Sequence, residues 1–291
     1  MINYGRIIDI DELTRTVTLK SQGRLKTLYI QRSLFNQFYK FLMPDHYIVY
    51  TTRPPRSIKH QHHDNVKDLL RIIKPTKRKR RVLYSHDKIQ NQLKLFINSL
   101  GNRMYLDMEM SMHPYTVDKY FTQEIIQVGY VLVDENDNVI EKYRAFIKPK
   151  LHETLTKRTL KFLDLTQQDI DQGIDFTLFY NHLKAHLKKY NPAIIVWGKN
   201  DEIALKEATE IHKLKPLNGK IRFVNLLKLH KNYYRLKDDL GLLTAYKLYG
   251  GTLDNQRHDA LDDALMTKII YEGFKAVINE EAPLPTLLQK S

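Results

Sequence analysis

The sequence predicts an α/β protein: a mixed sheet flanked by helices, preceded by a small β-rich domain. Three observations carry that prediction. Strand-like runs alternate with turn signals through the first 75 residues. After residue 102 a meander of three strands gives way to strands alternating with helices, the pattern of a mixed sheet covered by helices. The charge is also divided. Residues 1–101 hold 20 Lys and Arg against 7 Asp and Glu, whereas the remainder holds 27 against 26. The expected organisation is a basic β domain over 1–75, a basic linker and helix over 76–101, an α/β domain over 102–280 and a tail over 281–291.

Composition narrows the class further. With 291 residues the chain can bury a large core and fill two domains. It has no cysteine, which removes disulfides, thiolate zinc sites and cysteine nucleophiles together. No apolar run approaches the ~20 residues of a membrane span, and the start of the chain lacks a charged segment followed by an apolar one. A soluble, cytoplasmic protein without membrane or secretory segments is expected. Of the net charge of +14, almost all lies in the first third. A field so segregated fits a polyanion partner, and nucleic acid is the natural one.

The elements of the first part follow in order. Tyr4–Ile10 is a strand and Asp11–Leu13 a turn. Arg15–Lys20 alternates at period two, Ser21–Gly23 turns, and Leu25–Ile30 is a third strand. Ser33 is positioned to cap a short helix carrying Leu34, Phe38 and Phe41. Tyr47–Tyr50 and Val66–Ile73 complete the set. Three strands, a short helix and two more strands is the element order of a small OB-type barrel, and an unrelated small β domain would share it. Tyr29, Tyr47 and Tyr50 offer stacking surfaces if they face outward, or barrel core if they do not. The run Lys74-Pro75-Thr76-Lys77-Arg78-Lys79-Arg80-Arg81 reads as a basic hinge, with Lys77, Arg78, Lys79, Arg80 and Arg81 as candidate phosphate contacts. A helix is expected from Ser85 to Leu100, stopped by Gly101. The cluster His60-Gln61-His62-His63-Asp64 falls in an expected loop and reads as solvated rather than metal-binding.

In the second part, Met104–Met110, Ile125–Val133 and Val139–Ile147 form the meander. Thr166 and Asp169 have capping-box spacing before a helix. Phe176, Phe179, Leu183, Leu187 and Tyr190 trace one face of the next helix, which Pro192 ends. Ala193–Trp197 is a continuous apolar run, as in a strand buried on both faces. Ile221–Val224 is a further short strand, and the last helix runs from about Asp259 to Ala276.

Acidic residues gather where these strands end. Asp107 and Glu109 are two apart on the first strand, so both side chains share a face. Two such carboxylates repel unless a cation lies between them, and hard oxygen ligands suit Mg²⁺ or Mn²⁺. An isolated Asp-x-Glu is more often a solvated strand end. Asp201 follows the buried strand by four residues and taken alone reads as a helix cap. His258 and Asp263 stand five apart at the start of the last helix, where Asp262 and Asp263 also suit the helix dipole. Ligands of open α/β sheets collect at the carboxyl ends of strands, so the ordered set is far more specific than its parts.

That set, Asp107-Met108-Glu109, then Asp201, then His258 with Asp263, resembles the DEDDh exonucleases, the DnaQ-like group on an RNase H-like fold. The resemblance covers about residues 102–280. The stretches Gln123–Gly129 and Leu165–Ile170 look like the KapD and Eri-type branch, which acts largely on RNA 3′ ends. One position departs: many members carry Thr or another small residue where this chain has Met110, near the terminal nucleotide. The resemblance implies two divalent cations, Mg²⁺ or Mn²⁺, with Asp107 bridging them. Glu109 and Asp263 would hold the ion that activates water, Asp201 would support the second, and His258 would take the water's proton. Met108 and Met110 would lie against the substrate, and Asp259 and Asp262 would be bystanders. The expected activity is 3′→5′ hydrolysis of single-stranded RNA ends to nucleoside 5′-monophosphates. A DNA-directed exonuclease of repair or proofreading type shares the same residues. A non-catalytic RNA-binding scaffold would have no need of all five.

Overall fold

A computed structural model describes residues 2–58, 61–116, 121–217, 221–253 and 258–285. The chain divides into two compact units, Met1–Leu93 and Lys94–Ser291.

The first unit is built of β1 (Ile2–Asp11), β2 (Thr16–Ser21), β3 (Arg24–Ile30), α1 (Arg32–Phe38), β4 (Tyr47–Ile58), β5 (Gln61–Pro75) and β6 (Arg80–Ser85). The strands lie in the order β3-β2-β1-β4-β5-β6, and β3 also pairs in parallel with β5 from Leu28↔Asp64 to Ile30↔Val66. The first five strands therefore close into a ring, with α1 between β3 and β4. Its interior is filled by Ile7, Val17, Leu19, Leu28, Ile48, Val66, Leu69 and Ile72, joined by Phe35 and Phe38 of the helix. Ser33 does not cap α1: the N-cap is Gln31, which makes no side-chain bond there.

Two further expectations about this unit are corrected, and one left open is decided. Tyr29 and Tyr50 are buried, at 5% and 1% exposure, so neither offers a stacking surface. Leu28 and Ile30 point into the ring, and Tyr29 alternates to the other face, where the Arg15 guanidinium lies 5.9 Å from its ring centroid. Tyr47 does face outward. The stretch after His60, which itself lies outside the described residues, is no loop. β5 begins at Gln61, and Asp64 accepts a bond from Lys26 of β3 at 3.1 Å. The expected basic hinge is a hairpin. β6 pairs antiparallel with β5, Pro75 opposite Arg80 and Lys74 opposite Arg81. Thr76 brackets the turn: its N–H donates to the Lys79 carbonyl at 3.1 Å, and its Oγ1 accepts from the Lys79 N–H at 3.1 Å. Lys77, Arg78 and Lys79 thus form an exposed tip, and Arg80 and Arg81 open the returning strand.

Helix α2 (His86–Asn98) follows, and the second unit holds β7 (Arg103–Met110), β8 (Ile125–Val133), β9 (Val139–Phe146), α3 (Lys157–Leu163), α4 (Gln167–Asp171), α5 (Phe176–Tyr190), β10 (Ala193–Val196), α6 (Asn200–Ile211), β11 (Arg222–Asn225), α7 (Leu226–Tyr234), α8 (Leu242–Leu248) and α9 (Ala260–Ile278). The sheet runs β11-β10-β7-β8-β9. β7, β8 and β9 form the antiparallel meander, and β10 lies parallel between β7 and β11. The mixed sheet flanked by helices is the one expected. β8 is buried along its whole length because helices cover both faces. One face packs on α5 and α6 through Leu106, Met108, Val128, Tyr130, Phe179, Leu183 and Leu205. The other face packs on α9.

Several boundaries follow from local chemistry. The capping box of α4 is present, with Thr166 and Asp169 bonded reciprocally. α5 ends one residue before Asn191, which takes the left-handed conformation ahead of Pro192. α3, α7 and α8 were not expected; each is at most nine residues long, too short for periodicity to reveal. Among the described residues no helix is long and apolar enough to cross a membrane.

Candidate active site

The central strand and two helix starts bring five side chains together. β7 pairs with β8 so that Asp107 stands opposite Gly129 and Glu109 opposite Gln127. Alternation turns Asp107 and Glu109 toward α9, while Met108 and Met110 face the α5–α6 side. Asp201 enters from the first turn of α6. It is not the cap, because Lys199 holds that position. Its carboxylate instead accepts the Met108 N–H at 2.9 Å, fastening α6 to the strand that carries Asp107. Asp263 lies in the first turn of α9, 3% exposed.

His258 closely precedes that helix. Its backbone is left-handed, with φ 53°. The ring lies against Phe162 of α3, with centroids 4.4 Å apart, and its Nδ1 is 4.0 Å from Glu109 Oε1. One ligand atom each of Glu109, His258 and Asp263 lie within 4.8 Å of one another, close enough to share an ion.

The electrostatics argue for cations. Burial raises the Asp107 carboxyl well above its ordinary range, and Asp201, Asp263 and Glu109 push it further. Burial, then Asp263 and Asp201, raises Glu109 to about 8. Burial is again the largest cause at Asp201, raised to about 7, and the Met108 N–H opposes it. Acidic groups held this close and this dry suffer a penalty that a divalent cation removes. Their oxygens match the hard donors that Mg²⁺ and Mn²⁺ prefer. His258 moves the other way: burial lowers its pKa, so the imidazole is neutral at pH 7 and able to accept a proton.

These shifts set a pH dependence for the metal-free protein. Between the ordinary carboxylate range and pH 8, folded Glu109 and Asp201 hold protons that the unfolded chain has released. Their contribution to stability is therefore present at about pH 4 and is lost as the pH rises through 7 to 8. After chelation the melting temperature of the second unit should fall from pH 5 to pH 8. Adding Mg²⁺ or Mn²⁺ should raise it, more at pH 8 than at pH 5. Calorimetry with and without chelator checks this; an ion effect that is equal at both pH values would contradict it.

The bystanders also have places. Asp259 is the N-cap of α9: its carboxylate accepts the N–H groups of Leu261 and Asp262, the Gln127 Nε2–H at 2.8 Å and an ion pair from Arg144 at 3.0 Å. Asp262 is exposed. Met108, expected at the substrate, is buried in the core at 3% exposure, and only its backbone meets the site. Met110 lines a cleft of about 310 Å³ with Asn200, Ile203 and Phe176, on the opposite face from Glu109.

Three contributors escaped the sequence reading. Gln127 is 1% exposed and accepts the Ala260 N–H at 3.1 Å, so its amide pins the start of α9. Gly129 lies directly beneath that start: a Cβ there would come within 2.2–2.5 Å of the backbone of Ala260 and Leu261. Phe162 forms one wall around His258. A glycine and a glutamine inside an apolar strand were the only signals of these roles.

The exonuclease family model RNase_T matches residues 105–271, from the Asp107 strand through the Asp263 helix. The chain is similar to the probable 3′-5′ exonuclease KapD of Bacillus subtilis (strain 168), 32% identical over 177 residues, which are 60% of this chain and 83% of that protein. Among solved structures it resembles the nuclease domain of 3′hExo, a DEDDh family member bound to rAMP. The TM-score is 0.54 at 19% identity, over 64% of this chain and 96% of that one. Cell-death related nuclease 4 (CRN-4) gives a TM-score of 0.52 at 22% identity, over 64% and 66%. At such identities the structures speak for the RNase H-like fold.

Proposed function

Since this chain belongs to the RNase T family of exonucleases, in its DEDDh branch, we propose that it shortens single-stranded RNA from the 3′ end with two divalent cations. The observation that carries this reading is the convergence of Asp107, Glu109, Asp201, His258 and Asp263 from one strand and two helix starts. Asp107, Glu109, Asp201 and Asp263 would hold the ions, either Mg²⁺ or Mn²⁺. Bound there, such ions supply charge neutralisation at the phosphate and acidify water.

The protein's own contribution is positional. The Met108 N–H holds Asp201, and Gln127 with Asp259 holds the start of α9, so the carboxylates are fixed before substrate arrives. Neutral His258, braced by Phe162, accepts the proton of the attacking water at its ring nitrogen. The attack releases a nucleoside 5′-monophosphate. Replacing His258 with alanine should lower kcat by about 10²–10⁴-fold and remove the acid limb of the pH profile. A variant matching the wild type at every pH would exclude His258 as the base.

RNA is favoured over DNA by the resemblance of residues 123–129 and 165–170 to the KapD and Eri-type branch. The first unit would hold the strand upstream of the cut, which its basic composition supports, and we read its closed ring as OB-type. The hairpin tip from Lys77 to Arg81 would contact phosphates, and Tyr47 would offer an outward ring. Changing the five cations of the tip to serine should weaken binding and flatten its salt dependence, by about 0.7 in slope for each phosphate no longer neutralised. A slope unchanged by those substitutions would remove the tip from the interface. A cytoplasmic setting is part of the same reading.

The deciding experiment compares matched 3′-labelled RNA and DNA, short, long and duplex, with and without Mn²⁺. Stepwise metal-dependent release of mononucleotides from single-stranded RNA is expected. Faster loss of DNA would reverse the substrate assignment, and internal cleavage would exclude exonucleolytic action.

A further inference from the structure

We propose that Glu141, His182 and His186 bind a transition-metal ion of the Zn²⁺ class, at a site distinct from the carboxylate centre. His182 and His186 are four residues apart on α5, so both rings leave the same face of the helix. Glu141, on the edge strand β9, reaches between them. Its Oε1 is 3.2 Å from His182 Nε2, and its Oε2 is 2.7 Å from His186 Nε2. One ligand atom from each residue lies within 4.8 Å of the others. A tetrahedral zinc with bonds of about 2.0–2.2 Å separates its ligands by about 3.3–3.5 Å, so small side-chain rotations suffice.

The hydrogen bonding of His186 fixes which ring nitrogen faces Glu141. Its Nδ1 lies 3.0 Å from the His182 carbonyl, which can only accept, so Nδ1 carries a proton. Nε2 then faces a carboxylate oxygen 2.7 Å away. In the ion-free protein a proton bridges that pair, and a bound cation would replace it. A backbone carbonyl that orients the outer N–H of a histidine is also the usual support behind a metal ligand.

The surroundings preorganise the group. Tyr143 stacks on the His182 ring at 4.6 Å, and Tyr190 stacks on His186 at 5.8 Å. The Tyr130 hydroxyl donates to Glu141 at 3.0 Å and so accepts from His182 Nε2–H at 2.8 Å; an ion would displace that proton. Burial and Glu141 both raise the Tyr130 phenol, so it remains a donor. Two imidazoles and one carboxylate form a mixed nitrogen and oxygen set, suited to Zn²⁺ and poorly suited to Mg²⁺. The site lies on the α5 face of the sheet, opposite the face that carries Asp107. Helix α5 has no glutamate between the two histidines to act as a base, so the ion would clamp α5 to the sheet edge rather than hydrolyse a substrate.

The test uses full-length protein stripped with chelator, then dialysed against Zn²⁺ in excess Mg²⁺, with metal content measured by atomic emission. Wild type and Asp107→Asn should each retain one equivalent of Zn²⁺, and Glu141→Gln and His186→Asn should each lose it. Wild-type protein without zinc, or variants that keep the full equivalent, would overturn the proposal. Since Glu141→Gln also breaks ion pairs, Co²⁺ substitution of the wild type provides a second measure. A strong visible spectrum of tetrahedral type supports the site, and a weak octahedral one refutes it. The outcome does not depend on whether the chain degrades RNA.

Discussion

Asp107→Asn is expected to abolish nuclease turnover, by at least about 10³-fold, while raising the melting temperature of the metal-free protein at pH 8. The two effects have one cause. Asp107 is pushed upward by burial and by Asp201, Asp263 and Glu109, so its charge opposes folding when no cation is present. Asparagine keeps the shape and removes that charge. It also removes the oxygen charge that an ion would need. Activity and stability should therefore move in opposite directions, which simple unfolding cannot produce. The check pairs a mononucleotide-release assay with calorimetry in chelator. Full activity in contaminant-free variant would refute the assignment, and loss of both activity and stability would mean that Asp107 serves the fold.

Gly129→Ala is expected to cost activity about 10²-fold without touching any charged group. The added Cβ would meet the backbone of Ala260 and Leu261 at 2.2–2.5 Å, where ordinary contacts begin near 3.4 Å. Backbone cannot rotate away, so the start of α9 must lift, and Asp263 and His258 move with it. Overpacking of this kind costs about 1–3 kcal/mol, and a displacement near 1 Å at a reacting group is enough for a hundredfold loss. Kinetics should show the loss in kcat, with weaker ion binding by calorimetry. Wild-type kcat together with an unchanged melting temperature would show that α9 has room to spare at this position.

The candidate catalytic set was legible because its members come at short, fixed spacings on a strand or at a helix start. Two carboxylates at i and i+2 must share a strand face, and a histidine five residues before an aspartate at a helix start needs no tertiary knowledge to notice. Gln127 and Gly129 act across the β7–β8 pairing, so their roles depend on a register that the sequence does not display. The basic run at 74–81 illustrates the opposite error. Consecutive charges beside a proline suggest a solvated linker, but the Thr76 bracket folds them into a hairpin tip. The tyrosines of the first unit stayed open between surface and core for a related reason. The parallel β3–β5 pairing closes a ring whose core takes in Tyr50, and such closure leaves no mark on period-two alternation.

His258 holds a left-handed backbone, a conformation that a glycine or asparagine adopts more readily. The proposed general base thus occupies a position where backbone preference and the proposed chemistry pull apart. If turnover rests on this ring, selection would keep the histidine, and drift without that selection would have a route to glycine or asparagine. A duplicated descendant released from nuclease work should lose this residue before its four carboxylates. The letter at this one position would then separate working enzymes from retired ones across a lineage.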